Sequence, residues 1–552
     1  MAETGGIVVF TGRPASASTR ETIEALVRAF PEHRFLVLQG GRRRTLKGYL
    51  RGKWRRLKRE PLSYPLELLG QAAARFRRRP RRGPAGAPRV PRLEEIADLV
   101  SFDDIHSPEA LSAVRSFAPR LGISVGAPIL RTELFGIPEL GTVNLHKSLL
   151  PEYRGMPPGF WELHDGAPST GASVHWMEAS LDTGAIIAQR ELPVPRFVSR
   201  PGLAALLDQL GIQVLVDAVG AVLAGRGEGR PQTPPRTPTR SRPAFLVARR
   251  VERKLERARR GPPAGPRAIA KWCALQAYVR LWAPLRNVVR RLRGRCHVAV
   301  LLYHRVSESR QDAITVGIGQ FQEQLEMLRR HFDVVSLEEF LAARGRPRRR
   351  PAVVITFDDG YADNLLAARL LRRVGLPAAF FVSTRIIGTE KSFPHDRRDG
   401  FHEPALSWDA VRTMAEWGFT VSNHTATHAD MGAVPTADAL AEIAVARDDL
   451  VEQVGDRAAS TLFAYPYGRR GNITPAVREG LADLGVTHCL AAYGGVNGLD
   501  FDALDVRRQG VDCRFTLLAL RAAAEGWSVR GAADKEAPAG GKVCVPGQPM
   551  TR

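Results

Sequence analysis

Residues 226–243 carry five prolines and no periodic apolar residue, and they divide the chain. Proline removes a backbone donor and fixes φ, so neither a helix nor a central strand crosses such a stretch. On both sides of it, short apolar runs alternate with helical patterns. Upstream, 5–10 reads as a buried strand and 20–30 as the helix after it, with further strands at 35–38 and 123–125. Downstream, 297–304, 353–357 and 378–382 are strand-like, while 318–331, 363–374 and 408–417 have helical spacing. Such alternation builds an α/β fold around a parallel sheet. One break therefore implies two such folds, which 552 residues accommodate. The expected organisation is an α/β unit over 1–240, a basic, partly helical linker over 241–296, a second α/β unit over 297–530, and a loose Gly-, Ala- and Pro-rich tail over 531–552.

Composition removes several function classes. An apolar fraction of 44% excludes a wholly disordered chain, and only 5 cysteines exclude a disulfide scaffold. Cys273, Cys296, Cys489, Cys513 and Cys544 lack metal-ligand spacing and read as reduced thiols. No uninterrupted apolar run reaches the ~18 residues that span a bilayer, and no export signal is visible, so a cytoplasmic enzyme is expected. The net charge of +23 is local: residues 41–60 contribute +9 and residues 241–296 contribute +14. With 71 Arg against 9 Lys, the excess is a compositional skew toward arginine, and nucleic acid is not an expected partner. Within 241–296, Trp272, Leu275, Val279 and Trp282 recur at helical spacing among cations, with Pro284 expected to interrupt the helix. That pattern fits either a peripheral membrane contact or an ordinary helix docked on its neighbour.

Two clusters carry chemistry. In the first, Asn144 and His146 lie two apart and share one face of a strand. Asp182 follows a second strand-like run at 171–177. A converging amide, imidazole and carboxylate suit acyl transfer to an amine: donors face the oxyanion while the carboxylate orients the imidazole and helps remove the amine proton. The string Asn144-Leu-His-Lys-Ser-Leu-Leu-Pro-Glu-Tyr-Arg-Gly155, with Leu181-Asp-Thr-Gly184, resembles the formyltransferase family that uses 10-formyltetrahydrofolate. The resemblance covers about 1–240. It implies a Rossmann-like fold, catalytic roles for Asn144, His146 and Asp182, and a loop of Ser148, Leu149, Leu150 and Pro151 edging the folate site. Family members acting on tRNA carry a further β-rich domain; no strand run follows Asp182 before the break, so a sugar amine is the expected acceptor.

In the second cluster, Asp358 and Asp359 end an apolar strand, where one carboxylate can bind a cation while its neighbour stays free as a base. His424 and His428 are spaced i, i+4 and can meet one ion. With Asp359 they form a His₂–carboxylate set that leaves positions open, the hydrolytic rather than the structural arrangement. Together with Phe463-Ala-Tyr-Pro-Tyr-Gly468, these residues resemble the polysaccharide deacetylase family (NodB-like, carbohydrate esterase family 4), a distorted β/α barrel. The resemblance implies Asp358 as general base and Asp359, His424 and His428 as ligands of a divalent metal, expected to be zinc. It further implies that Thr425 ties down the loop and that the Tyr467 N–H holds the oxyanion. Ala464 stands where the family has Arg, and no late Leu-x-His follows. Leu302-Tyr-His304 matches the circularly permuted branch instead, which makes His304 the expected general acid and Arg508 a candidate to orient Asp358.

One half would form an N-formyl amide and the other would break an N-acyl amide. The expected function is a bifunctional enzyme that removes an N-acetyl group from a sugar and formylates the freed amine. The sugar would be nucleotide- or lipid-linked rather than finished polymer. Transient formylation followed by deformylation is an alternative, as is an inactive domain serving as a binding or membrane-tethering module.

Overall fold

The computed structural model describes residues 5–41, 86–196, 198–259, 266–455 and 461–527, with short pieces between 53 and 68. The tail at 531–552, Cys544 and most of the arginine-rich 41–92 segment lie outside the described residues. The chain forms two compact units, one of residues 1–80 and 90–258, the other of 81–89 and 259–552.

The first unit is built on seven strands: β1 (Gly6–Gly12), β2 (Phe35–Gly40), β3 (Asp98–Phe102), β4 (Pro119–Ser124), β5 (Thr142–His146), β6 (Ser169–Trp176) and β7 (Ile186–Pro193). Their order is β3-β2-β1-β4-β5-β6-β7. The first five are parallel, and β6 and β7 close the edge as antiparallel neighbours. Ile7 and Val9 pack beneath helices Ala17–Ala29 and Arg200–Leu223, whereas Val8 and Phe10 face helix Pro108–Phe117. Helices on both faces of a sheet whose order reverses beside β1 make a Rossmann-like fold. Serine hydroxyls at Ser16, Ser107 and Ser199 start three of these helices by accepting from Thr19, Ala110 and Gly202 N–H groups.

One expectation needs correction here. Helix Arg200–Leu223 is long and apolar enough to cross a membrane by length and composition, which counting uninterrupted apolar residues missed. Half of its most apolar window is nevertheless buried in this unit, against β-strand side chains such as Val143, Ala172 and Val174. The stretch 241–296 is partly helical and divides between the units. Helix Phe245–Arg259 packs Val251 against Phe160, Leu163 and Leu207 of the first unit, while the helices from Pro266 onward belong to the second.

The second unit holds β8 (Val298–Tyr303), the short pair β9 (Arg305–Val306) and β10 (Thr315–Val316), β11 (Asp333–Val334), β12 (Ala352–Phe357), β13 (Ala379–Val382), β14 (Thr420–Asn423), β15 (Leu462–Ala464), β16 (His488–Leu490) and β17 (Arg508–Gly510). An eight-stranded parallel sheet runs β16-β15-β14-β13-β12-β8-β17, with β11 beside β12. A parallel bridge from Leu490 to Val506, and an Ala491 N–H bond to the Val506 carbonyl at 2.9 Å, bring the two ends together into a near-closed barrel. Every residue of β8 and β12 is buried, as the uninterrupted apolar runs require.

Helix Pro266–Ala277 continues through a π turn at Tyr278–Trp282 into Ala283–Leu292. Pro284 therefore does not end this rod. The Ala283 N–H bonds to the Tyr278 carbonyl, and the wider turn accommodates the proline just downstream.

Candidate active sites

Both aspartates of the second cluster follow β12 at its carboxyl end, where the Asp358 N–H bonds to the Tyr303 carbonyl of β8 at 3.0 Å. Arg508, on β17 at the other side of β8, reaches Asp358 with both terminal nitrogens at 2.7 Å. Its Nε donates to the Ala491 carbonyl at 3.0 Å, so the guanidinium is held from two sides. Burial by itself would raise the Asp358 carboxyl; Arg508 and then His424 outweigh it and hold it below the usual range.

Asp359 points the other way. Its Oδ1 lies 3.3 Å from His424 Nε2 and 3.1 Å from His428 Nε2. Donor atoms around a tetrahedral zinc-like ion stand about 3.3 Å apart, so these spacings fit a shared cation. The three residues are buried, with ligand atoms within 4.8 Å of one another. Apart from these imidazoles neither Asp359 oxygen has a hydrogen-bond partner, an expensive state for a buried carboxylate unless a cation satisfies it. Burial opposes ionisation of Asp359, but His428 and His424 prevail and hold its carboxyl well below the usual range. His424 Nδ1 donates to the Ala464 carbonyl at 2.8 Å, which turns Nε2 toward Asp359. Ala464 thus serves through its main chain.

The remaining predicted residues gather around this centre. His304 leaves β8 one residue after Tyr303; burial lowers its pKa, while Asp359 and Asp358 pull it back up. The Tyr467 ring stands 4.9 Å from that of His428, and its backbone is left-handed at φ 60°. The expected role of Thr425 changes. Its hydroxyl has no partner, and the loop is held instead by Asn423, which accepts from the Thr425 N–H at 2.8 Å and donates to the Ile443 carbonyl at 2.8 Å.

His395 was not singled out from the sequence, yet its Nε2 lies 3.7 Å from Asp359 Oδ2 and 2.7 Å from the Tyr361 hydroxyl, which donates to Asp396 at 2.7 Å. Tyr361 follows the aspartate pair by two residues, and that proximity is the only sequence signal for this group.

In the first unit, β5 presents Asn144 and His146, and the antiparallel register sets Asn144 opposite His175 and His146 opposite Ser173. Asp182 sits between the two imidazoles, with Oδ2 3.7 Å from His146 Nδ1 and Oδ1 3.7 Å from His175 Nε2. The Gly155 N–H donates to the same carboxylate at 3.1 Å. His146 Nε2 donates to the Tyr153 carbonyl at 3.1 Å, leaving Nδ1 toward Asp182. His175 is a member that the sequence reading missed, although it sits in the strand-like run 171–177. Its Nδ1 bonds to the Trp176 carbonyl at 2.8 Å, so Nε2 accepts from Asn144 Nδ2 at 3.2 Å. Burial lowers its pKa and favours the neutral ring.

The loop after β5 is tied down by its own side chains. The Ser148 hydroxyl is buried and donates to Glu162 at 2.5 Å, and Leu150 is buried with its N–H on Ser173 Oγ at 3.1 Å. A Cβ at Gly171 would meet Leu149 at 2.5 Å, so Leu149 too packs inward. These side chains brace β5 against β6 and so fix the course of the loop. Pro151, the fourth residue of the loop, is partly buried.

Both centres lie in regions that match enzyme families, and the second brings together three residues that could hold a metal ion. Comparison with known proteins gives them families: residues 95–219 match the formyl transferase family and 345–489 match the polysaccharide deacetylase family. A methionyl-tRNA formyltransferase of Geobacter sulfurreducens is 36% identical over 123 residues, which is 22% of this chain and 39% of that protein. One from a Roseiflexus species is 33% identical over 135 residues, 24% of this chain and 42% of that protein. The chain thus spans well under half the length of these curated relatives. Among solved structures, the Streptococcus pyogenes deacetylase PplD in complex with acetate aligns with TM-score 0.34 and 20% identity, over 41% of this chain and 96% of that one. A sugar N-formyltransferase from a Shewanella species aligns with TM-score 0.28 and 16% identity, over 46% and 87%.

Proposed function

We propose that the chain exchanges the acyl group on an amino sugar, with the second unit hydrolysing an N-acetyl amide and the first formylating the amine that is freed. The observation that carries the hydrolytic half is the buried Asp359 carboxylate, without a hydrogen-bond partner beyond His424 and His428. A divalent cation held by these three residues, which we assign as zinc, would supply Lewis acidity to the amide carbonyl. The rest is the work of the chain. Asp358, fixed by Arg508, takes the proton of the attacking water. The Tyr467 N–H donates to the developing oxyanion, and His304 returns a proton to the departing sugar amine. The C–N bond breaks and the acetyl group leaves as acetate.

In the first unit, 10-formyltetrahydrofolate supplies the formyl carbon. The sugar amine attacks it, Asp182 receives the amine proton, the remaining Nδ2–H of Asn144 faces the oxyanion, and His146 flanks the Asp182 carboxylate. The folate nitrogen leaves with a proton as the new amide forms. Contrary to expectation a strand, β7, does follow Asp182, but it belongs to the first unit's own sheet; among the described residues no strand lies between Pro193 and Val298, which favours a sugar over tRNA as acceptor. A folate co-substrate places the reaction in the cytoplasm, and hence the sugar on a nucleotide or lipid carrier. The test is to incubate the purified chain with N-acetylamino sugars on both kinds of carrier, together with 10-formyltetrahydrofolate, and follow products by mass spectrometry. The N-formyl product is expected; recovery of starting material alone from every candidate would refute acyl exchange.

A further inference from the structure

We propose that the rod Pro266–Leu292 is a docking surface for an anionic lipid bilayer, lying in the plane of the headgroups. One side of it is spent on the second unit: Leu275 and Val279 are buried with Ala522, and Ala283 is also buried. Glu525 fixes the same side, accepting from Arg286 at 3.1 Å and Asn287 at 2.8 Å. The rotation of the rod is therefore set by its own fold, and what it presents outward is not a matter of free choice.

The outward side is apolar. Leu281, Trp282, Leu285, Val288, Val289 and Leu292 are between 48% and 83% exposed. They recur at i, i+1, i+4, i+7, i+8 and i+11, the spacing of a single helical face. A water-facing helix would carry polar groups at these positions. Trp272 is exposed one helix earlier, and an indole suits the headgroup boundary.

The flanks identify the partner. Lys271, Arg280 and Arg291 are exposed along the rod and Arg293 and Arg295 just past its end, and no acidic residue occurs between Glu256 and Glu308. A second copy of this rod would repel the first, and a docked protein would have to supply every anion. A bilayer with anionic headgroups supplies them, and it accepts the apolar face as well. With this many cations the rod lies on the membrane rather than crossing it.

The test uses the full chain in vesicle flotation, with phosphatidylcholine alone or mixed with phosphatidylglycerol. Binding to the mixed vesicles and its loss at high salt are expected. The Leu285→Glu substitution should weaken partitioning at least about ten-fold. Replacing Lys271, Arg280 and Arg293 together by Gln should weaken it on the order of a hundred-fold. Both variants should hydrolyse a soluble acylated amino sugar as the unaltered chain does, which guards against misfolding. No binding to mixed vesicles at low salt would overturn the proposal, as would equal binding by both variants, because the contact would then lie elsewhere. If Leu285→Glu instead dissociates a dimer seen by sedimentation, the face is a homotypic interface and the proposal is wrong.

Discussion

The Arg508–Asp358 pair makes a quantitative demand on the barrel. Arg508 is wholly buried and Asp358 is 3% exposed, and they share two charge-assisted bonds of 2.7 Å. Removing either partner strands the other as an uncompensated ion, at a cost of about 3–5 kcal/mol. Removing both charges strands nothing. The single variants Arg508→Ala and Asp358→Asn should therefore each destabilise the second unit strongly. The double variant should fall short of their sum by at least about 2 kcal/mol. Asp358→Asn should be the milder, because the Arg508 bonds to Ala491 at 3.0 Å and to Thr356 at 3.5 Å survive it. Hydrogen exchange read on β8 and β12 under increasing denaturant isolates this unit from the other. The pH dependence has a fixed sign as well. Because the Asp358 carboxyl sits below its ordinary value of 3.8, its contribution is full above that pH and is lost as pH falls through the folded value. Costs that add within about 0.5 kcal/mol would show that the pair is not coupled and would refute the assigned geometry.

Three further outcomes follow from the same geometry. Asp359→Asn should reduce bound divalent cation, measured by elemental mass spectrometry, from one per chain to none while formyl transfer continues; joint loss of both activities would mean the units are not independent. His175→Ala removes the acceptor that orients Asn144 and one of the two imidazoles at Asp182, and should lower kcat for formyl transfer on the order of a hundred-fold, with an effect under about three-fold counting against its role. His297 is buried between Arg290 and the Ala524 carbonyl, and burial brings its pKa down to about 4. Between pH 6.5 and 4 the unfolded chain then binds a proton that the folded one does not, so the second unit should lose about 3 kcal/mol on acidification, and His297→Gln should flatten that slope in pH-dependent unfolding.

The residues legible in the sequence were those whose spacing survives folding. Asn144 and His146 share a strand face, and the Asp358–Asp359 pair ends an apolar strand, so local geometry already aims them. His175 was missed because only the antiparallel return of β6 brings it opposite Asn144, and nothing in the sequence fixes that register. His395 reaches Asp359 through Tyr361, across an irregular segment without periodicity. The support of loop 148–151 was equally hidden. Its residues match a motif, but Ser148 answers to Glu162, a buried carboxylate 14 residues away that no local rule connects to it. In the linker, the helical spacing of Leu275 and Val279 already suggested a docked helix, and both pack with Ala522, whereas the packing of Val251 on the first unit had no comparable signal.

The backbone connects these observations more tightly than the side chains do. Seven non-glycine residues among those described have φ between 47° and 76°, and all except Ala118 belong to the two centres: Tyr153 and Asp182 in the first, Asp359, Thr425, His428 and Tyr467 in the second. Each costs on the order of 1–3 kcal/mol and persists only where its surroundings over-determine it. At Asp359 the reason is visible, since the next residue, Gly360, is itself at φ 92° and the pair turns the chain sharply off the end of β12. That turn sends adjacent carboxylates to different partners, Asp358 to Arg508 and Asp359 to the histidines. An unstrained continuation of β12 would also put them on opposite faces, but one would then enter the barrel core. The left-handed step lets two neighbours in sequence serve one site in different roles, and glycine at 359 would relax the turn only by deleting the carboxylate that needs it.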